Sequence, residues 1–157
     1  MGEAPGEHLG PLEWSDVEIL VVEDSLTQAL CLQQMLEKAG YRVSIAGNGQ
    51  EALRYLESKL PTLVITDVVM PEMDGYELCK RIKSNKRLSQ TPVVLVTFLS
   101  DPGDVLRGLE CGADNFITKP YQERELISRI HYLLINNDLR RRSAAGVGLE
   151  IFFAGRR

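Results

Sequence analysis

Glu23 and Asp24 follow the apolar run Ile19-Leu20-Val21-Val22, Asp67 follows Leu63-Val64-Ile65-Thr66, Thr97 ends Val93-Val94-Leu95-Val96, and Lys119 follows Asn115-Phe116-Ile117-Thr118. Three carboxylates, a hydroxyl and an amine therefore stand at the ends of four short runs. Brought together, three carboxylates would repel and call for a cation, and an all-oxygen set suits Mg²⁺, which keeps several waters. A lysine beside them would balance charge and grip a phosphate as a point cation. A carboxylate can itself attack phosphorus to give an aspartyl-phosphate. The protein's share of such a transfer is positioning and charge neutralisation, and Thr97 adds a hydroxyl donor for a phosphate oxygen. Taken singly, each residue has a plainer reading: an Asp after a strand forms turns, a lone Thr is a satisfied hydroxyl, a lone Lys is solvated. Their recurrence at successive run ends points to a joint site.

The elements that must position them read as strands and helices in alternation. Val17–Val22 is β-branched and too short for a helix. Ser25 offers an N-cap, and Leu26, Ala29, Leu30, Gln33, Leu36 and Glu37 follow at helical spacing until Gly40. Tyr41–Ala46 alternates with period two, Asn48-Gly49 turns the chain, and Ala52, Leu53 and Leu56 carry a second helix to about Leu60. Leu63–Thr66 is a third strand, and Tyr76–Lys83 a third helix after Gly75. Val93–Thr97 is a fourth strand, and Asp101-Pro102 opens a fourth helix. Asn115–Thr118 is a fifth strand, and from Gln122 an amphipathic helix with Leu126, Ile130, Leu133 and Leu134 runs to about Arg142. Apolar strands alternating with helices imply a parallel sheet covered on both faces. The expected fold class is α/β: a doubly wound, five-stranded parallel sheet of flavodoxin-like order 2-1-3-4-5, in three α/β/α layers. In such sheets functional groups collect at the carboxyl ends of the strands, where all five candidates lie.

At 157 residues, 44% hydrophobic and 25% charged, the chain has the composition of one soluble globular domain. It has no apolar run near the roughly 20 residues that span a bilayer, and no secretory signal, so the expected compartment is the cytoplasm. Net charge is −4 and there is no broad basic face, so no direct contact with nucleic acid or an anionic membrane is expected. Arg140-Arg141-Arg142 reads as the solvated end of a helix. Cys31, Cys79 and Cys111 fit no metal or disulfide spacing and read as small buried hydrophobes. Residues 1–15, with Pro5, Gly6, Gly10 and Pro11, read as a flexible tail, residues 16–142 as the domain, and 143–157 as a second tail or a linker to a further unit. Leu149-Glu150-Ile151-Phe152-Phe153 in that tail either docks on the domain or begins something else.

Glu23-Asp24, Asp67 within Val64-Ile65-Thr66-Asp67-Val68-Val69-Met70-Pro71-Glu72-Met73-Asp74-Gly75, Thr97 and Lys119-Pro120 together resemble the motif set of bacterial two-component receiver domains over about residues 16–140. The spacings of 43, 30 and 22 residues between Asp24, Asp67, Thr97 and Lys119 are also similar to that family's. The resemblance implies that Asp67 takes phosphate from a phosphohistidine on a histidine kinase or phosphotransfer protein. It implies Mg²⁺ held by Asp24, Asp67 and the Val69 carbonyl, with Glu23 acting through a water. Lys119 would bridge Asp67 and the phosphate, with a cis Lys119–Pro120 bond, and Thr97 and Phe116 would form a switch pair reshaping the surface of the fourth helix, fifth strand and fifth helix. A receiver–receiver homodimer and an attached or partner output module are implied in the same way. Such a domain is a phosphoacceptor, with at most slow self-dephosphorylation, not an enzyme.

Departures from the pattern carry expectations of their own. Glu23 replaces the commoner Asp, and Phe98 is bulky where a small residue is usual. Val69 and Leu99 place apolar side chains where polar ones assist water attack, so slow loss of phosphate is expected. Rival readings fit less well. A haloacid-dehalogenase-like phosphatase wants a second Asp at the position of Val69. A flavin-binding module needs a Ser/Thr/Gly-rich loop where Glu23-Asp24 would repel phosphate. An interaction-only pseudo-receiver is expected to lack Asp67, Asp24 or Lys119, all of which are present.

Overall fold

A computed structural model describes residues 13–145; the patch at 149–153 lies outside them. Five strands, β1 (Glu18–Val22), β2 (Arg42–Ala46), β3 (Leu63–Thr66), β4 (Val93–Thr97) and β5 (Asn115–Thr118), alternate with five helices. The helices are α1 (Leu26–Lys38), α2 (Gly49–Ser58), α3 (Gly75–Ser84), α4 (Pro102–Glu110) and α5 (Glu123–Ala145). All strand pairs are parallel, in the order β2-β1-β3-β4-β5, as expected from the alternation.

The apolar strands divide their side chains between two cores by strict alternation. Leu20 and Val22, Val64, and Val93 and Leu95 face one core with the buried residues of α2 and α3. Ile19 and Val21, Leu63 and Ile65, and Val94 and Val96 face the other with α1 and α5. Each fully buried aliphatic side chain contributes about 1.5–3 kcal/mol. A parallel sheet must therefore be apolar on both faces, which is why these runs lack the polar alternation of a half-exposed strand.

Local chemistry fixes the helix starts. Ser25 accepts a hydrogen bond from the Gln28 N–H, Asn48 from Glu51 and Asp74 from Glu77, each satisfying an otherwise orphaned donor. Gly40 takes φ of 101° after α1, a left-handed stop that favours glycine.

Four details differ from the sequence reading. The inward face of α1 is Ala29, Leu32 and Leu36, while Leu26 and Leu30 are exposed; Leu32 completes a stripe at helical spacing that Leu26 and Leu30 flank. Cys31 is exposed rather than buried. Arg142 is buried, paired with Asp138 at 2.8 Å one turn earlier, and α5 continues through Ser143 to Ala145 into the expected tail. Trp14, expected in a flexible tail, sits in a 3-10 turn (Trp14–Asp16) and stacks on His131 of α5, ring centroids 4.6 Å apart and 9° from parallel.

Candidate functional site

The sheet ladder extends one residue past the strand ends and places the candidate residues. The Glu23 N–H donates to the Ala46 carbonyl, the Asp67 N–H to Val22 at 3.1 Å and the Lys119 N–H to Thr97 at 2.7 Å. Three backbones from three strands are thereby pinned at one rim.

Their side chains meet on Lys119. Its ammonium lies 2.9 Å from Glu23 Oε1 and 2.9 Å from Asp67 Oδ2, and it also hydrogen-bonds the Gln28 side-chain oxygen. The second oxygen of each carboxylate takes a backbone N–H: Glu23 Oε2 accepts from Ser25 and Asp67 Oδ1 from Val69, both at 3.1 Å. Burial would depress the ammonium of Lys119, but its hydrogen bonds to Glu23 and Asp67 and their charges outweigh that and hold its pKa above the usual 10.5. Burial pushes the Glu23 carboxyl above the ordinary range, with Lys119 and the Ser25 N–H opposing it.

The loop that carries Asp67 back into α3 is closely packed. The Gly75 N–H donates to the Val68 carbonyl at 2.8 Å, and a Cβ on Gly75 would lie 2.1 Å from the Asp67 carbonyl oxygen. Only glycine fits there. Met73 reaches across to Gly49, where a Cβ would meet its sulfur at 2.7 Å, so the Met70-Pro71-Glu72-Met73 stretch is anchored on α2. Glu72 takes φ of 68° within this turn.

Thr97 is buried and its hydroxyl accepts weakly from the Leu99 N–H at 3.4 Å. The half-buried Phe116 ring lies against α4, where a Cβ on Gly108 would come within 2.8 Å of its Cδ2. Val69 and Phe98 are exposed at the rim, and the Phe98 ring lies with its centroid 5.3 Å from the Lys119 ammonium. Leu99 is half-buried, packed against the core, with its N–H on the Thr97 hydroxyl. The Lys119–Pro120 bond is cis. A cavity of about 370 Å³ opens beside the site, walled by Thr27, Cys31 and Met35 of α1 and by Val96, Pro120 and Tyr121.

The sequence reading assigned nothing to Gln28, whose signal was its place in the first turn of α1, three residues after the Ser25 cap. One expectation changes in kind. Among the described residues no three acidic, imidazole or thiol side chains are gathered as a metal-holding group. Glu23 is turned onto Lys119 and the Ser25 N–H, so the lysine itself relieves the repulsion that three carboxylates would suffer. Asp24 is exposed and Asp67 half-buried at the same rim, so the donors a cation would meet there are carboxylate oxygens. Mg²⁺ is commonly held by one or two carboxylates and several waters, so this donor set fits it.

Among the described residues no helix is long and apolar enough to cross a membrane. The family model described as response regulator receiver domain matches residues 19–131. The chain is 37% identical over 122 residues to the alkaline phosphatase synthesis transcriptional regulatory protein PhoP of Bacillus subtilis, covering 78% of this chain and 50% of that one. It is 39% identical over 132 residues to the response regulator PleD of Caulobacter vibrioides, covering 82% of this chain and 29% of that one. This chain thus spans half the length of one curated relative and less than a third of the other. Among solved structures, the signal receiver domain of a histidine kinase from Syntrophus aciditrophicus is 53% identical, with a TM-score of 0.72, over 75% of this chain and 89% of that one. The chemotaxis protein CheY4 of Vibrio cholerae is 28% identical, with a TM-score of 0.71, over 74% of this chain and 98% of that one. The gathered rim, the strand order and these likenesses agree: the chain belongs to the receiver domains of two-component response regulators.

Proposed function

We propose that Asp67 accepts a phosphoryl group from a phosphohistidine of a partner histidine kinase or phosphotransfer protein, and that this controls an attached or partner output module. The observation that carries the reading is Lys119 bridging Asp67 and Glu23 at 2.9 Å each, a fixed cation beside an aspartate at a strand end. One Asp67 carboxylate oxygen attacks phosphorus, the P–N bond of the phosphohistidine breaks, and the imidazole leaves with the electron pair. Lys119 already touches Asp67 and needs only a small movement to meet a phosphate oxygen. Mg²⁺, held by Asp24, Asp67 and the Val69 carbonyl, would supply further neutralisation of the phosphoryl oxygens.

Phosphorylation replaces the single charge of the Asp67 carboxylate with a phosphoryl group that carries about −1.5 to −2 and three acceptor oxygens. Thr97, buried at the end of β4, would turn its hydroxyl onto a phosphate oxygen, leaving space into which the Phe116 ring moves from its seat on Gly108. The surface of α4, β5 and α5 then changes shape, and this is the face offered to an output module or to a second copy of the domain. The chain acts as a phosphoacceptor with slow self-dephosphorylation. Direct contact with nucleic acid is not part of its role; the relatives named as transcriptional regulators extend well beyond the matched segment.

The test is incubation with Mg²⁺ and a small-molecule phosphodonor, read by intact mass. One added phosphoryl group is expected on the unsubstituted protein and none on Asp67→Asn. Equal phosphorylation of Asp67→Asn defeats the assignment.

A further inference from the structure

Cys79 and Cys111, 32 positions apart in sequence and read there as unrelated buried hydrophobes, are brought together by the packing of α3 against α4. The Cys79 thiol donates to the Cys111 carbonyl oxygen at 3.5 Å, so the buried sulfur lies against the residue that bears the second thiol. The contact is one of a series along a common seam. Tyr76, three residues before Cys79 and on the same face of α3, donates its hydroxyl to the Asp104 carbonyl at 2.9 Å. Arg107 lies over the Tyr76 ring at 4.5 Å. Asp104, Arg107 and Cys111 recur at helical spacing, so the seam is held in register above the cysteines.

The two sulfurs differ in access. Cys79 is buried, and burial, followed by the neighbouring Cys111, pushes its thiol well above the ordinary range. Cys111 is half-exposed and lines a groove between α3 and α4, together with Tyr76, Lys80, Arg107 and Glu110. Its thiol donates to the Gly108 carbonyl at 3.0 Å. A small oxidant can therefore reach Cys111 from solvent, and Cys79 waits behind it. An accessible thiol backed by a second is the arrangement in which oxidation stops at a disulfide instead of running on to sulfinic acid.

We propose that Cys79 and Cys111 form a reversible intramolecular disulfide under hydroperoxide, linking the middle of α3 to the C-terminal end of α4. The Cys111 thiolate attacks one peroxide oxygen, the O–O bond breaks, and the released hydroxide takes up a proton to leave water and a sulfenic acid. The Cys79 sulfur, giving its proton to solvent, then attacks the sulfenic sulfur; the S–O bond breaks and a second water leaves. Two thiols lose two electrons and the peroxide gains them. Because Cys79 is held protonated, the second step is slow. The bond would fasten the end of α4 to α3, and it does not depend on phosphorylation of Asp67.

The experiment uses the whole chain carrying Cys31→Ser, so that no exposed third thiol can exchange. The native protein is treated with hydrogen peroxide, free thiols are alkylated, and intact mass and a non-reducing peptide map are recorded. The expected product is a monomer lighter by two hydrogens, with a Cys79–Cys111 cross-linked peptide that disappears on reduction. Cys111→Ser must abolish it, and Cys79→Ala must divert Cys111 to sulfinic acid. Sulfinic acid at Cys111 with Cys79 alkylated in the parent, or a link that forms only in denaturant, overturns the proposal.

Discussion

Gly75→Ala separates two physical arguments that predict opposite signs. Judged by helix propensity, replacing the first residue of α3 by alanine stabilises by up to about 1 kcal/mol. Judged by space, the new Cβ would lie 2.1 Å from the Asp67 carbonyl oxygen, 2.8 Å from Val68 Cα and 2.9 Å from the Asp67 carbonyl carbon. These are backbone atoms, so no rotamer relieves the overlap, and restoring an ordinary contact near 3.5 Å needs a displacement of roughly 1.4 Å. The Asp67–Val68 backbone is tied by the Asp67 N–H to Val22 and by its own bond to the Gly75 N–H at 2.8 Å, so the movement strains both. Overpacking costs about 1–3 kcal/mol and a weakened buried hydrogen bond about 1 kcal/mol more, giving a net loss near 2 kcal/mol. For a domain of this size that lowers Tm by roughly 6–10 °C. Asp67 moves with the loop, and a misplacement of about 1 Å can slow the transfer to it on the order of 100-fold. Gly103→Ala is the matched control, since a Cβ there meets nothing within 4 Å and should leave stability unchanged or slightly raised. Urea titration and phosphorylation rate with a small phosphodonor measure both consequences. A Gly75→Ala protein as stable as its parent, phosphorylated at the same rate, would refute the reasoning.

Three further outcomes follow from other contacts. His131 is pushed below its ordinary value of 6.5 by burial, and its Nε2 is buried with no partner among the described residues. Its folded-state pKa is depressed, so its contribution to stability is fully present above about pH 6.5 and is lost as pH falls from there through the folded value. Urea midpoints between neutral pH and about pH 5 should fall less steeply for His131→Phe than for the parent, and parallel curves would exclude the effect. Gly108→Val drives a side chain into Phe116 and Leu95, whose nearest atoms lie 2.8 and 3.2 Å from the Cβ position. It should cost about 1–3 kcal/mol by chemical denaturation and shift the Phe116 ring resonances even without phosphate. Phe98→Ala removes the ring 5.3 Å from Lys119, a contact worth about 0.5–1 kcal/mol, and uncovers the rim; phospho-Asp67 should persist well beyond seconds in the parent and decay roughly two- to fivefold faster in the variant. A parent half-life of seconds, read by mass, would remove the argument from Val69 and Phe98.

Much of this fold is legible in the sequence because its strands are buried on both faces. An apolar run of four or five residues between a cap residue and a turn has few alternatives, and β1, β3 and β4 fall within a residue of where they were read. Helix phase was less legible. In α1, Leu26 and Leu30 compete with Leu32 for the inward stripe, and only the packing of Ala29 and Leu36 against the sheet decides between them. Arg142 and Trp14 failed for a related reason. Polarity and terminal position argue for solvent, yet a carboxylate one turn away and an imidazole on α5 supply partners that single-residue reasoning cannot see.

The site shows where such reading stops. Strand ends told which side chains share a rim, since the parallel sheet brings every carboxyl end to one edge. They did not tell which pairs form, because pairing is settled over ångströms while the residues are far apart in the chain: Lys119 reaches back 96 positions to Glu23 and 52 to Asp67. Glu23 stands where Asp is commoner, and its extra methylene lengthens the side chain's reach. In the folded chain that reach brings Glu23 Oε1 to Lys119 and Oε2 to the Ser25 N–H, leaving Asp24 as the acid free to face solvent at the rim. Asp67 is engaged in the same way, one oxygen on Lys119 and the other on the Val69 N–H, so a cation arriving at the rim would first meet Asp24, while Glu23 holds the lysine in place. Glu23→Gln would on this argument loosen Lys119 while sparing metal affinity, whereas Asp24→Asn would weaken Mg²⁺ binding and leave the lysine where it is; the reverse pattern, measured by Mg²⁺ titration and the Lys119 ammonium resonance, would return Glu23 to the metal.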